Sequence, residues 1–86
     1  MEQDLSTKVV HLKYFSRFSE ITGKASEHYK TEANTLEALW YELDKQYDFG
    51  QPINGVRPAT NHQFCDWNYR FSDGDSICFI PPVSGG

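Results

Sequence analysis

The chain has 86 residues, of which 38% are hydrophobic and 15% aromatic, and a formal net charge of −4. That length makes one domain with no room for a second core, and the apolar content belongs to a folded globule rather than a disordered chain. The acidic balance argues against nucleic acid as a partner, because phosphate neutralisation needs a clustered basic face; it suits basic protein partners better. The apolar runs are far too short to cross a bilayer, and MEQDLSTK has no apolar signal core, so a soluble, cytoplasmic protein without a membrane partner is expected. Cys65 and Cys78 make no CxxC spacing or disulfide-rich pattern. His11, His28 and His62 fall in separate segments, which suggests no zinc site.

Residues 1–7 are polar and read as a flexible extension. From Lys8 to Phe15 the chain is rich in β-formers, with Val10, Leu12 and Tyr14 on one face and Val9, His11, Lys13 and Phe15 on the other. SRFSEITGKAS breaks that pattern as a polar connection, with Gly23 as a turn residue. Glu27 to Ala33 alternates again, so the two strands are expected to form a hairpin.

The clearest helix follows. Asn34 and Thr35 are both good N-caps, and Asn34 with Glu37 three residues on resembles a capping box. Leu36, Leu39, Trp40, Leu43 and Tyr47 recur at helical spacing and make one apolar stripe, the core face of a helix on a sheet. Gly50 and Pro52 close the element.

Gln51 to Arg57 reads as loop, with Asn54-Gly55 as a turn signal. Pro58 to Cys65 is expected to be a strand with Pro58 at its start or on an edge, and Trp67 to Phe71 fits neither period. Ser72-Asp73-Gly74-Asp75 is a tight turn, and Ser76 to Ile80 a final strand, with Ile77 and Phe79 on one face. A hairpin, one amphipathic helix and returning strands predict an α+β domain over residues 8–80, its helix packed across a mixed sheet of four to five strands. The first and last strands carry the largest apolar side chains and are the natural central pair. That arrangement is the ubiquitin-like β-grasp.

The chain ends Phe79-Ile80-Pro81-Pro82-Val83-Ser84-Gly85-Gly86. Two prolines stop a strand, since they lack a ladder donor and hold φ near −65°, and they favour a stiff extended path. The six residues from Pro81 reach at most about 20 Å, enough to thread a narrow channel in a partner. Glycine has no Cβ, so a Gly-Gly end can enter a channel that other residues would block, leaving the terminal carboxylate as the functional group. Residues 81–86 are therefore read as an extended functional tail.

FIPPVSGG resembles the C-terminal signature of the small subunit of molybdopterin synthase, a member of the ubiquitin-like molybdopterin/thiamine sulphur-carrier family. SDGD matches that family's turn before the last strand. LKYFSRFSEITGKASE resembles its first strand and following loop, and NTLEALWYEL the start of its helix. Pro58, Thr60 and Phe71 depart from the family pattern. The resemblance implies that an ATP-using activating enzyme adenylates Gly86, that a sulphur donor converts it to a thiocarboxylate, and that this sulphur builds the dithiolene of molybdopterin from cyclic pyranopterin monophosphate. Gly86 is then the catalytic residue. Pro81, Pro82, Val83, Ser84 and Gly85 are partner-binding residues that enter the large subunit, in a heterotetramer of two small and two large subunits. No bound cofactor and no metal is implied for this chain.

Three rival readings share the tail: a carrier for thiamine or tRNA thiolation, a ubiquitin-like modifier joined to lysines, and a binding module whose tail is incidental. Cys65 and Cys78 are expected to be structural thiols, and Asp73 and Asp75 turn residues rather than a carboxylate pair. Asn61 is expected to serve backbone hydrogen bonding. Phe15, Phe18, Trp67 and Phe71 belong either to the core or to a partner-binding patch.

Overall fold

The computed structural model describes residues 7–82; residues 1–6 of the expected extension, and the tail from Val83 onward, lie outside them. The elements run β1 (Lys8–Tyr14), α1 (Arg17–Thr22), β2 (Ser26–Thr31), α2 (Leu36–Tyr47), a 3₁₀ turn at Ile53–Gly55, β3 (Arg57–Thr60), β4 (Gln63–Phe64) and β5 (Ser76–Ile80). The five strands form one sheet in the order β2-β1-β5-β3-β4. β1 and β5 pair in parallel, with Leu12 opposite Ile77 and Tyr14 opposite Phe79; β1–β2, β3–β5 and β3–β4 are antiparallel. This is the expected β-grasp, with the first and last strands side by side at its centre. No helix among the described residues is long and apolar enough to cross a membrane.

Alternation decides the faces, since successive side chains of a strand point to opposite sides. Val10, Leu12, Tyr14, Ile77 and Phe79 are all buried on the side of α2. The helix meets them with Leu36, Leu39, Trp40 and Leu43, spaced to fall on one stripe. Trp40 is the hub. Its ring centroid lies 5.6 Å from Phe18, 4.9 Å from Phe49, 6.0 Å from Trp67 and 5.3 Å from Phe79, within the range where aromatic pairs add to area burial.

Four local expectations are corrected. The β1–β2 connection is more than a polar link: it holds α1, which buries Phe18 and ends at Gly23, whose φ of 74° places it in the left-handed region. One buried aromatic is enough to fold six residues down, and so short a helix leaves no periodicity to detect. Second, of the two N-cap candidates it is Thr35 whose side chain caps α2, accepting from the Ala38 N–H at 3.2 Å, while Asn34 Oδ1 accepts from Lys8 Nζ at 3.0 Å. Third, α2 ends before Gly50, at Asp48 with φ 58°, and the Asp44 carboxylate accepts from the Phe49 N–H at 2.9 Å.

Fourth, Pro58–Cys65 is a hairpin instead of one strand. Asn61 and His62 both have positive φ, 52° and 74°, the pattern of a two-residue type I′ turn. Pro58 is accommodated because its carbonyl accepts from the Cys65 N–H at 3.1 Å. A strand residue points its carbonyl and nitrogen to the same side, so the missing donor faces the end of the short β4 and no bond to β5 is lost.

The segment around Trp67 also has a task. The first N–H groups of a helix have no partner within it. Here the Trp67 carbonyl accepts from Glu37 at 2.9 Å and the Tyr69 carbonyl from Leu36 at 3.1 Å. Replacing Trp40 with alanine is expected to lower stability by about 3–5 kcal/mol, against the roughly 5–15 kcal/mol of a typical domain. A urea titration reads this as a large fall in midpoint. Thr35→Ala is expected to cost only about 1 kcal/mol.

Candidate functional site at the end of the central strand

β5 is the middle strand of the sheet and the last element before the tail. At its end Ile80 pairs with Arg57 of β3, and one residue earlier Phe79 pairs with Tyr14 of β1 and Pro58 of β3. The Phe79 ring is buried between two indoles, stacked on Trp67 at 5.7 Å and 8° and edge-on to Trp40. The start of β5 is equally fixed. The Val9 N–H donates to Asp73 Oδ1 at 2.7 Å, the Ser72 N–H to Asp75 Oδ2 at 2.8 Å, and the Gly74 N–H to the Val9 carbonyl at 2.8 Å. Asp73 and Asp75 are thus turn residues that set the register of β5 on β1. Asn61 joins them, its Oδ1 accepting from the Ser76 N–H at 3.0 Å and its amide donating to Asp75 at 3.1 Å.

Pro81 and Pro82 follow, half-buried and exposed respectively. Of the residues expected to carry function, these two are described; Val83, Ser84, Gly85 and Gly86 lie outside the described residues. Pro82 leaves the sheet beside the 3₁₀ turn. A Cβ added to Gly55 would stand 3.6 Å from Pro82 Cγ and 2.7 Å from Gln51 Nε2. Gln51 in turn accepts from Arg17 of α1, so α1 and the 3₁₀ turn are linked next to the root of the tail.

The C-terminal end of β1 is tied down by Glu27. Its carboxylate accepts from Tyr14 Oη at 2.5 Å, Tyr47 Oη at 2.9 Å and Lys24 Nζ at 3.0 Å. Burial by itself would raise this carboxyl, yet the bonds from Tyr14, Lys24 and Tyr47 hold it below its ordinary range. Burial and the bond to Glu27 raise Tyr14 in the same contact. The acid depressed in the folded state contributes stability that is fully present above its ordinary value of about 4.5 and lost as pH falls through the lower, folded value. Glu27→Ala is therefore expected to destabilise the protein at pH 7 by about 1–3 kcal/mol, with the gap from wild type narrowing below pH ~4. Thermal melts of both chains across pH 3–7 check the sign.

Neither cysteine is placed as a nucleophile. Cys78 is half-buried in β5, and burial pushes its thiol up, against a smaller opposing pull from Lys13. Cys65 lies 3.3 Å from Thr60 Oγ1. Both are expected to react with a thiol reagent more slowly in the native protein than in urea, which a timed alkylation reads directly.

The structure divides the four aromatics that the sequence left open. Phe18 and Phe71 are core, Trp67 is half-buried against Phe79, and Phe15 is 45% exposed just past β1. It also adds a pair that sequence reasoning missed. Phe64 is 59% exposed, with the Arg57 guanidinium 4.0 Å above its ring, and Arg57 sits opposite Ile80 at the root of the tail. The only available signal was the Asn-His turn that creates β4.

Residues 12–86 match the ThiS family. The chain belongs to that family. It is 30% identical over 83 residues to the human molybdopterin synthase sulfur carrier subunit, covering 90% of this chain and 93% of that one. It is 25% identical over 81 residues to the protein of the same name from Escherichia coli (strain K12), covering 91% and 100%. Among solved structures it is similar to the Haloferax volcanii HVO 2177 protein, with a TM-score of 0.82 and 24% identity over 100% of this chain and 93% of that one. A complex of subunits 1 and 2 of molybdopterin-converting factor from Helicobacter pylori matches at 0.61 and 26%, over 91% and 99%. The ubiquitin of Caldiarchaeum subterraneum matches at 0.61 and 14%, over 93% and 99%, a likeness of fold alone. The resemblance read from the tail and the upstream segments thus holds at the level of the family, and the fold is ubiquitin-like.

Proposed function

We propose that this ThiS-family chain is the sulphur-carrier subunit of a molybdopterin synthase, working through Gly86. The observation that carries the proposal is the segment Pro-Pro-Val-Ser-Gly-Gly following directly on the central strand of a ubiquitin-like fold, a strand paired on both edges. The names of the human and Escherichia coli relatives support it, and the Helicobacter pylori complex supports a large-subunit partner.

A carboxylate is a poor electrophile, because its charge and resonance repel nucleophiles. In the proposed cycle a Gly86 oxygen attacks the α-phosphate of ATP on an activating enzyme and releases pyrophosphate. The outer sulphur of a donor persulfide then adds to the acyl-adenylate and AMP departs. A second thiol cleaves the resulting acyl disulfide, forming a disulfide with the donor and leaving the thiocarboxylate. Inside the large subunit its sulphur attacks cyclic pyranopterin monophosphate, and two deliveries complete the dithiolene. Gly85, with no Cβ, keeps a narrow channel passable, Val83 and Ser84 are small enough to follow, and the two prolines limit the conformational entropy lost on insertion. Acid–base groups come from the partner. Arg57 with Phe64, and Phe15, lie at the root of the tail where a gripping partner meets the sheet.

The test is reconstitution with the large subunit, an activating enzyme, ATP, a sulphur donor and the pterin precursor. Wild type is expected to support dithiolene formation. A chain lacking Gly86, or carrying Gly85→Trp, is expected to support none while melting at the wild-type temperature. The variant with Cys65→Ala and Cys78→Ala is expected to retain activity, adjusted for its stability. Full activity without Gly86 would refute the proposal.

A further inference from the structure

His11 and His28 are 17 positions apart in sequence, and the fold makes them neighbours: they stand directly opposite each other on β1 and β2. The hydrogen bonds define what kind of pair this is. The Tyr14 N–H donates toward β2, to the Ala25 carbonyl at 2.9 Å, whereas the His11 N–H donates toward β5, to the Asp75 carbonyl at 2.9 Å. N–H groups alternate sides along a strand, so between β1 and β2 His11–His28 is a pair without mutual backbone bonds. In such pairs the Cα atoms approach to about 4.5 Å and the side chains come closest. The rings are indeed stacked, with centroids 4.9 Å apart and planes 13° from parallel.

Both rings project from the face of the sheet opposite α2, because Val10, Leu12 and Tyr29 take the other face. His28 is exposed and His11 half-buried, so solvent reaches the pair. Neutral imidazole offers one lone pair in the ring plane, and two imidazoles on one cation at about 2.1 Å need nitrogens only about 3 Å apart. In the stack the two in-plane lone pairs run nearly parallel, so chelation needs both rings to turn about Cα–Cβ and Cβ–Cγ until those lone pairs converge. The close cross-strand pairing and the open face leave room for that rotation with no change in backbone.

We propose that His11 and His28 form a two-imidazole chelate for a divalent cation of the late first transition row, with Cu²⁺ bound more tightly than Ni²⁺. No group of three or more His, Cys, Asp or Glu side chains is placed to hold a metal among the described residues, so the remaining coordination positions are filled by water and the ion is exchangeable. Lys13 and Lys30 are the nearest charges on the same face by register, and Ser76 stands opposite His11 on β5. The two ammonium groups oppose a cation and set this site apart from a structural zinc centre. His11 pairs with Ser76, four residues before Ile80, about 13 Å along the strand from the root of the tail. The site is therefore independent of the sulphur-carrier reading.

Ni²⁺ is the probe of choice, since it prefers imidazole and does not oxidise the Cys78 thiol. Titrated into the full-length protein at pH 7.5, it is expected to bind at one site and to broaden the ring resonances of His11 and His28 in the NMR spectrum. His28→Gln and His11→Gln are each expected to weaken binding at least tenfold without changing the melting temperature of the metal-free protein, while His62→Gln leaves it unchanged. The proposal is overturned if His28→Gln binds Ni²⁺ as wild type does, if the broadening centres on His62 or the N-terminal amine, or if binding is absent below millimolar metal.

Discussion

The last strand of the chain is held from both edges and from one face. β5 pairs in parallel with β1 and antiparallel with β3, and Phe79 is clamped between Trp40 and Trp67 one residue before the pairing ends. An end strand at the centre of a sheet is an unusual use of a terminus, since chain ends are ordinarily the first parts to fray. Here it makes the tail begin from a strand that is paired on both edges and packed on one face. Pro81 and Pro82 then end the pairing, because neither can donate to a neighbouring strand.

An 86-residue domain buries only about 60–65% of the surface its unfolded chain exposes, so its core must be efficient. The solution is aromatic. Phe18, Trp40, Phe49, Trp67 and Phe79 form one connected cluster that joins α1, α2 and β5. Polar hubs complete it. Glu27 gathers Tyr14, Tyr47 and Lys24, and Glu42 accepts from Tyr29 at 2.5 Å and Thr31 at 2.8 Å. No buried side-chain nitrogen or oxygen among the described residues lacks a hydrogen-bond partner.

Much of this architecture was legible in the residues. Val10, Leu12 and Tyr14 alternate and are buried, and Leu36, Leu39, Trp40 and Leu43 follow the helical period and face the sheet. The elements that escaped were those whose cause is tertiary. α1 exists because Phe18 reaches the core, and β4 because Asn61 and His62 take positive φ between two short runs. The capping of α2 by the carbonyls of Trp67 and Tyr69 is a contact across 30 residues that no local pattern announces. The same holds for the histidines: read in sequence they are isolated, and strand register brings two of them together. The tail is the opposite case. Its motif is plain in the sequence, and the fold adds where it is rooted.

The sulphur-carrier account places all its chemistry on one atom group, the carboxyl of Gly86, and gives the rest of the fold the work of presenting it. The most direct measurement is the intact mass of the chain after incubation with ATP, a matched activating enzyme and a sulphur donor. The account predicts a gain of one oxygen-for-sulphur exchange, localised to Gly86. No gain with an activating enzyme that loads its own carrier, or linkage of Gly86 to a lysine of another protein, would contradict it.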